Sequence, residues 1–222
     1  MFGVLKSSPL FSGLDVLEIN LVINNVLHQI RNFSSNEVLE FSGETVGKAM
    51  ILLEGKLRGE MVDFAGNSLK IEDLEPPQMV AAAFLYGPQN FFPVNLSALS
   101  EGKILSFHKK DFTRLLSSDP RLLNNYLNIV SGKVQFLSNK ITFLSFKTIR
   151  EKIAYYLLNQ LRSPGLVVEI GQNQTALASM FGVARPSLAR SISEMENEKI
   201  IRWERNEVHI TNILLLKSII GR

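Results

Sequence analysis

The feature that most constrains the fold is a run of apolar residues spaced 4, 3, 4, 3, 4, 3: Leu123, Leu127, Val130, Val134, Leu137, Ile141 and Leu144. Alternating steps of three and four keep these side chains on one narrow stripe of a helix for three heptads, and a second helix laid along the stripe buries it. The pattern predicts a helix over about 119–146 that pairs with a copy of itself, with Asp119-Pro120 marking its start. Leu122, Ile129, Phe136 and Phe143 repeat every seven residues on a neighbouring face. One stripe can therefore pack on the same chain while the other meets a partner. The competing reading is an ordinary amphipathic core helix, which usually has a broader and less regular apolar face. Lys133 and Lys140 fall beside the seam with no acid at the same heptad position, so charge does not specify the pairing.

The chain reads differently on either side of this helix. From Asn36 to about Phe107, short apolar stretches such as Val38–Phe41 and Met50–Leu53 are punctuated by Ser42-Gly43 and Glu54-Gly55. Met61–Phe64 and Ser68–Ile71 flank Ala65-Gly66-Asn67 as a hairpin would. Frequent short strands with glycine turns predict a β-barrel or roll. Beyond Ser145–Thr148 the heptad stops, a fresh helical pattern runs from Ile149 to Leu161, and Ser163-Pro164-Gly165 closes it. Helical signals then dominate to about Ile201, and Trp203–Ile210 reads as a small hairpin around Arg205-Asn206. The expected class is α+β, with domains at 1–118, 119–146 and 147–222.

Composition removes several functional classes. With no cysteine among 222 residues, disulfides, thiolate zinc sites and cysteine-ligated clusters are excluded. His28, His108 and His209 lie far apart, none with a second histidine at i+3 or i+4, so no metal site is expected. No apolar run approaches the roughly 20 residues of a membrane span, and the N-terminus lacks the apolar core of an export signal, which predicts a cytoplasmic protein without membrane contact. No carboxylate pair, Ser-His-Asp set or phosphate-cradling loop stands out, and Gly43–Gly47 lacks the lysine and helix that such a loop needs. No catalytic residue is assigned. The net charge of +3 is unevenly spread: residues 147–222 carry 11 Lys+Arg against 7 Asp+Glu, so the positive excess lies where a polyanion contact would need it.

The most informative stretch is Gln174–Arg190. Asn173 can cap a first helix through its side-chain oxygen. Ala178 is small where two helices must approach, and Gly182 permits a tight turn between them. Leu177, Phe181, Val183 and Leu188 would bury the inner face, while Pro186 sits in the first turn of a second helix, where its missing N–H is not needed. Arg185, Ser187 and Arg190 remain on the outer face, with no acidic residue between Thr175 and Ser193. An arginine presented in the major groove bonds O6 and N7 of guanine together. Arg185 and Arg190 are therefore expected at base edges, and Gln174, Thr175 and Ser187 at phosphates, because they stand at helix starts. The bland alternative is a solvated helix with two chance arginines.

These residues give the whole chain a resemblance to the Crp/Fnr family of bacterial regulators, most specifically at Gly182-Val183-Ala184-Arg185-Pro186-Ser187-Leu188-Ala189-Arg190. The resemblance implies a β-roll sensor domain of jelly-roll type, a long dimer helix, and a winged helix-turn-helix that binds double-stranded DNA. It also implies RNA polymerase as a partner if the protein activates. Arg185 and Arg190 fall on the family's two base-reading arginine positions. Pro186 stands where the family often has an acidic residue, and Ser191 where it usually has an apolar one, with Ile192 next to it.

The sensor half departs from the family. Members that bind cyclic nucleotide carry a Gly-Glu pair and, about ten residues on, Arg-Ser or Arg-Thr; alignment on Ala98 puts Ala81-Ala82 and Phe92-Pro93 there. No residue from Gln78 to Ser100 is charged. A buried phosphodiester without a cation would lose several kcal/mol of hydration, which argues against cyclic AMP. Ala81, Ala82, Phe84, Leu85, Tyr86, Phe92 and Pro93 instead suit a pocket for an apolar ligand such as haem, or are plain core. A cyclic-nucleotide-responsive regulator, and a regulatory subunit without DNA-binding activity, stay open as alternatives.

Overall fold

The computed structural model describes residues 2–62, 68–161 and 165–221. Contacts divide the chain into two units, Met1–Gln135 and Phe136–Arg222.

In the first unit, helix α1 (Val16–Asn24) follows two short 3-10 turns. The sequence Asp15-x-x-Glu18 starts it: Asp15 accepts the Glu18 N–H at 2.8 Å, and Glu18 accepts the Asp15 N–H at 2.8 Å. Eight strands follow: β1 (Gln29–Phe33), β2 (Val38–Glu40), β3 (Lys48–Glu54), β4 (Leu57–Val62), β5 (Ser68–Leu74), β6 (Gln78–Val80), β7 (Asn95–Ala98) and β8 (Gly102–His108). They form two antiparallel sheets, ordered β1-β8-β3-β6 and β2-β7-β4-β5. Apart from the β4–β5 hairpin, consecutive strands go to opposite sheets, and residues of both, such as Ile51, Leu105, Leu57 and Leu96, enter one apolar core. The expected hairpin is present as β4–β5, while its loop residues 65–67 lie outside the described residues. At the β3–β4 turn, Gly55 has φ +86° and packs on the backbone of Glu101, where a Cβ would overlap the carbonyl oxygen.

Helix α2 (Lys109–Ser118) and the 26-residue α3 (Pro120–Ser145) close this half. Asp119 joins them: its Oδ1 accepts the Arg121 N–H at 2.8 Å, and the Arg121 guanidinium spans Asp119, Glu18 and the Gly13 carbonyl. These cation contacts hold the Asp119 and Glu18 carboxyls below their ordinary range. The two stripes of α3 differ in its first half, up to Ile129, beyond which Phe136 of the second stripe is exposed as well. Leu122 is buried and Ile129 packs against the core, whereas Leu123, Leu127, Val134, Leu137, Ile141 and Leu144 are exposed. Val130, expected on the exposed seam, also packs against the core.

The second unit holds α4 (Ile149–Gln160), β9 (Val167–Glu169), α5 (Gln174–Phe181), α6 (Arg185–Asn197), β10 (Ile201–Glu204), β11 (Glu207–Ile210) and α7 (Ile213–Ile219). Strand β9 interrupts the stretch up to about Ile201 where helical signals were expected to dominate. It pairs Val168 with Val208, making a three-stranded antiparallel sheet in the order β10-β11-β9. The class is α+β, as expected: antiparallel sheets, a long helix and a C-terminal helix-turn-helix. No described helix is long and apolar enough to cross a membrane.

Candidate nucleic-acid interface

Two helices and a hairpin of the second unit carry the predicted contact residues, and local chemistry sets each in place. Asn173 Oδ1 accepts the Ala176 N–H at 2.9 Å and so starts α5. The capping leaves the N–H groups of Gln174 and Thr175, at the positive end of the helix dipole, without an intrahelical acceptor. At the other end Gly182 takes the left-handed conformation, φ 67°, and the Val183 N–H turns back to the Ala178 carbonyl at 2.9 Å. The chain thereby reverses into α6 within three residues. Pro186 stands in the first turn of α6, as the sequence predicts.

Burial then sorts the faces. Leu177, Ala178 and Phe181 of α5, and Leu188, Ile192 and Met195 of α6, join Ile153, Ala154 and Leu157 of α4 in one core, with Val183 partly buried against it. Ile192 supplies the apolar contact that the half-buried Ser191 does not. At about 100° per residue, Pro186, Arg190, Ser193 and Asn197 fall within about 60° of one another, opposite the core positions. All four are exposed, as are Arg185 and Ser187 in the first turn. Ser193 and Asn197 were not singled out from the sequence; their spacing of three and seven from Arg190 marks the same stripe.

Three other basic side chains of this unit are committed elsewhere. Arg150 makes a double hydrogen bond with Glu198 at 2.6 Å each, tying α4 to the end of α6. Lys152 donates to the Phe181 carbonyl at 2.9 Å, where the negative end of the α5 dipole adds to the attraction. Arg202 pairs with Glu204 at 2.8 Å. Among the described residues, Arg185, Arg190 and Arg205 have no ion-pair partner. Arg205 holds φ 45° in the two-residue β10–β11 turn, and the Asn206 carbonyl accepts the Ile170 N–H at 2.6 Å, which anchors the turn to the chain after β9. A cation at the tip of such a hairpin is a further candidate for a nucleic-acid backbone.

The predicted sensor segment is less open. A cavity of about 60 Å3 touches Ala81, Ala82, Phe84, Phe92 and Pro93. Leu85 and Tyr86 do not line it. Leu85 is buried in the core, and the Tyr86 hydroxyl meets Thr113 Oγ1 at 2.7 Å. Phe92 is itself buried, so a ring fills the position where the resemblance expects an arginine. The cavity also receives Glu72 and Lys133, the latter from α3, so a cation does approach a segment that has no charge of its own. Nearby, Tyr126 of α3 donates to the Ala82 carbonyl at 2.8 Å, and burial pushes its hydroxyl up to about 12. Ala81 precedes this contact with φ 48°, in the left-handed region. Among the described residues, no group of three or more His, Asp and Glu side chains could hold a metal ion.

Comparison with known proteins agrees with this division. Residues 151–219 match the Crp-like helix-turn-helix domain, and residues 30–119 match the cyclic nucleotide-binding domain. The chain is 24% identical to the Cyclic AMP receptor protein of Thermus thermophilus over 217 residues, covering 97% of this chain and 98% of that one. It is 20% identical to the Transcriptional activator protein anr of Pseudomonas aeruginosa, covering 90% and 83%. Its fold resembles the crystal structure of the Thermus thermophilus Catabolite Activator Protein, with TM-score 0.56 and 22% identity over 96% of this chain and 98% of that one. A transcriptional regulator of Thermotoga maritima is 31% identical, with TM-score 0.54, over 60% of this chain and 98% of that one.

Proposed function

The chain belongs to the Crp/Fnr family of DNA-binding transcription regulators, and from that premise we propose a two-fold dimer that reads an inverted repeat and answers to an effector other than cyclic AMP. The functional regions are 1–118 for sensing, 119–146 for dimerisation and 147–222 for DNA.

The observation that carries the reading is the outer face of α6. It holds two exposed arginines without ion pairs beside a core that faces the other way, in a unit where Arg150, Lys152 and Arg202 are tied down. Arg185 and Arg190 take guanine edges, each contributing about 1–3 kcal/mol of base discrimination. Gln174, Thr175 and Ser187 hold phosphates by virtue of their places at the starts of α5 and α6. Pro186 offers only apolar contact, such as with a thymine methyl. The exposed seam of α3 supports dimerisation, and a two-fold dimer presents its recognition helices about 34 Å apart, one turn of the duplex. RNA polymerase becomes a partner if the protein activates.

On the effector, a cavity of about 60 Å3 has room for a few waters, against roughly 300 Å3 at the lower end for ligand pockets. Haem or another apolar ligand enters only if the segment around Ala82 opens. A cyclic phosphodiester meets the buried Phe92 ring where it needs an arginine, with Lys133, among the described residues, the sole cation lining the cavity. Anisotropy titrations of the full chain on a selected inverted repeat test the reading. Two protomers bind per duplex, and an isolated half-site binds far more weakly; one protomer per duplex at equal affinity contradicts the proposal.

A further inference from the structure

A ligand-sized space lies not at the predicted sensor segment but in the second unit. A groove of about 610 Å3, roughly ten times the sensor cavity and within the range of small-molecule sites, lies between the last turns of α3, α4 and the end of α5. Its walls are aromatic. Phe143 packs on Phe181 at 5.1 Å and Tyr156 on Phe181 at 5.7 Å between ring centroids, so two walls rest directly on the first helix of the helix-turn-helix. Phe136 and Met180 complete them, and both leave large apolar surface exposed, 65% and 46%. Apolar side chains of that size in one concave place are a typical mark of a binding surface.

The polar lining has one sign. Lys140 sits with its Nζ 6.0 Å from the centre of the Phe136 ring and has no carboxylate partner among the described residues. The amides of Asn139, Asn159 and Gln160 stand beside it, and among the described residues no acidic side chain lines the groove. Asn139 already accepts the Tyr155 hydroxyl through Oδ1, at 3.4 Å, which leaves its N–H groups as donors. The α3 seam does not compete for this space. In the heptad that carries Leu137, Ile141 and Leu144, Phe136, Asn139 and Phe143 fall on outward positions, and Lys140 flanks the seam.

We propose that this groove is a small-molecule site for an organic anion with a flat apolar body, such as an aromatic carboxylate. The rings of Phe136, Phe143 and Tyr156 sandwich the body, and Lys140 with the neighbouring amides takes the carboxylate as a charge-assisted pair. The site is separate from the sensor cavity, and its occupant touches the wall on which α5 rests.

Calorimetric titration of the full chain with 1-naphthoate, and with the neutral naphthalene-1-methanol, tests it. The naphthoate binds saturably, one per chain, at least tenfold tighter than the alcohol. Lys140→Gln brings the naphthoate down to the level of the alcohol without changing the alcohol's own affinity, and Phe136→Ser weakens both. Both positions are exposed, so circular dichroism and thermal melting stay as in the parent chain. Absence of saturable binding overturns the proposal, as does naphthoate affinity unchanged in both variants.

Discussion

Truncating the α3 seam should dissociate the dimer without unfolding the chain. Leu137 is 56% and Ile141 69% exposed on the single chain, so more than half of each side chain remains to be covered. Full burial of such a side chain is worth about 1.5–3 kcal/mol, which leaves about 1 kcal/mol or slightly more for the partner helix to supply at each position. A two-fold axis counts every substitution twice. The double variant Leu137→Ala/Ile141→Ala therefore loses about 4 kcal/mol of association free energy, near 1000-fold in Kd. Both residues lie outside the two apolar cores, so the variant keeps its secondary structure and its thermal transition at equal monomer fraction. Sedimentation equilibrium over a range of concentrations reads the Kd directly. Val130 is a poor choice for this test, because it packs against its own chain's core and its loss would mix folding with association. Phe136→Ala, off the seam, is the control and shifts Kd by no more than a few-fold. A double variant with Kd within threefold of the parent would refute the seam as the interface.

Three further outcomes follow from named contacts. Replacing Lys152 by Met removes the cation from the Phe181 carbonyl and should cost about 1.5–3 kcal/mol in denaturant unfolding, whereas Arg150→Gln, which breaks a partly exposed pair, should cost less than about 1 kcal/mol. Equal effects would contradict this ranking. The Tyr126 hydroxyl, pushed up to about 12 in the folded chain, keeps its proton where the unfolded chain gives it up. Its contribution is complete below about pH 10 and is lost as pH rises to about 12, so Tyr126→Phe should flatten the fall of the thermal midpoint over that window; an unchanged slope refutes it. Cyclic AMP should give no saturable heat on calorimetric titration up to millimolar concentration, and micromolar binding would show that the Ala82–Phe92 segment opens around a phosphate.

The parts legible in the sequence are those set by neighbours along the chain. Heptad spacing placed α3 because helical faces repeat every three or four residues. The helix-turn-helix was readable from Asn173, Gly182 and Pro186, each demanded by a local backbone requirement that the structure displays. Strand β9 escaped because three residues carry no period, and the partner that makes Val168 a strand residue, Val208, is 40 positions away. Helix α1 escaped for a different reason: Asp15-x-x-Glu18 is a complete start signal, but only nine residues follow it, and the exposed Leu17 and Leu21 blur the apolar face. Lys133 at the sensor cavity belongs to another element and is found only once α3 packs on the roll. Leu85 and Tyr86 looked like pocket residues because they are apolar and adjacent to Ala82, yet the turn after Ala81 sends one into the core and the other toward Thr113.

The central claim is that α6 reads bases through Arg185 and Arg190, and binding-site selection from a random duplex library at fixed salt tests it most directly. The parent chain should yield an inverted repeat with guanines at set positions in each half-site, about one helical turn apart. Arg185→Ala and Arg190→Ala should each relax the preference at particular base pairs, with a loss of about 1–3 kcal/mol per half-site, while Gln174→Ala weakens all sequences alike. If both arginine variants keep the parent's sequence preference and lose only overall affinity, these side chains hold phosphates and the assignment is wrong.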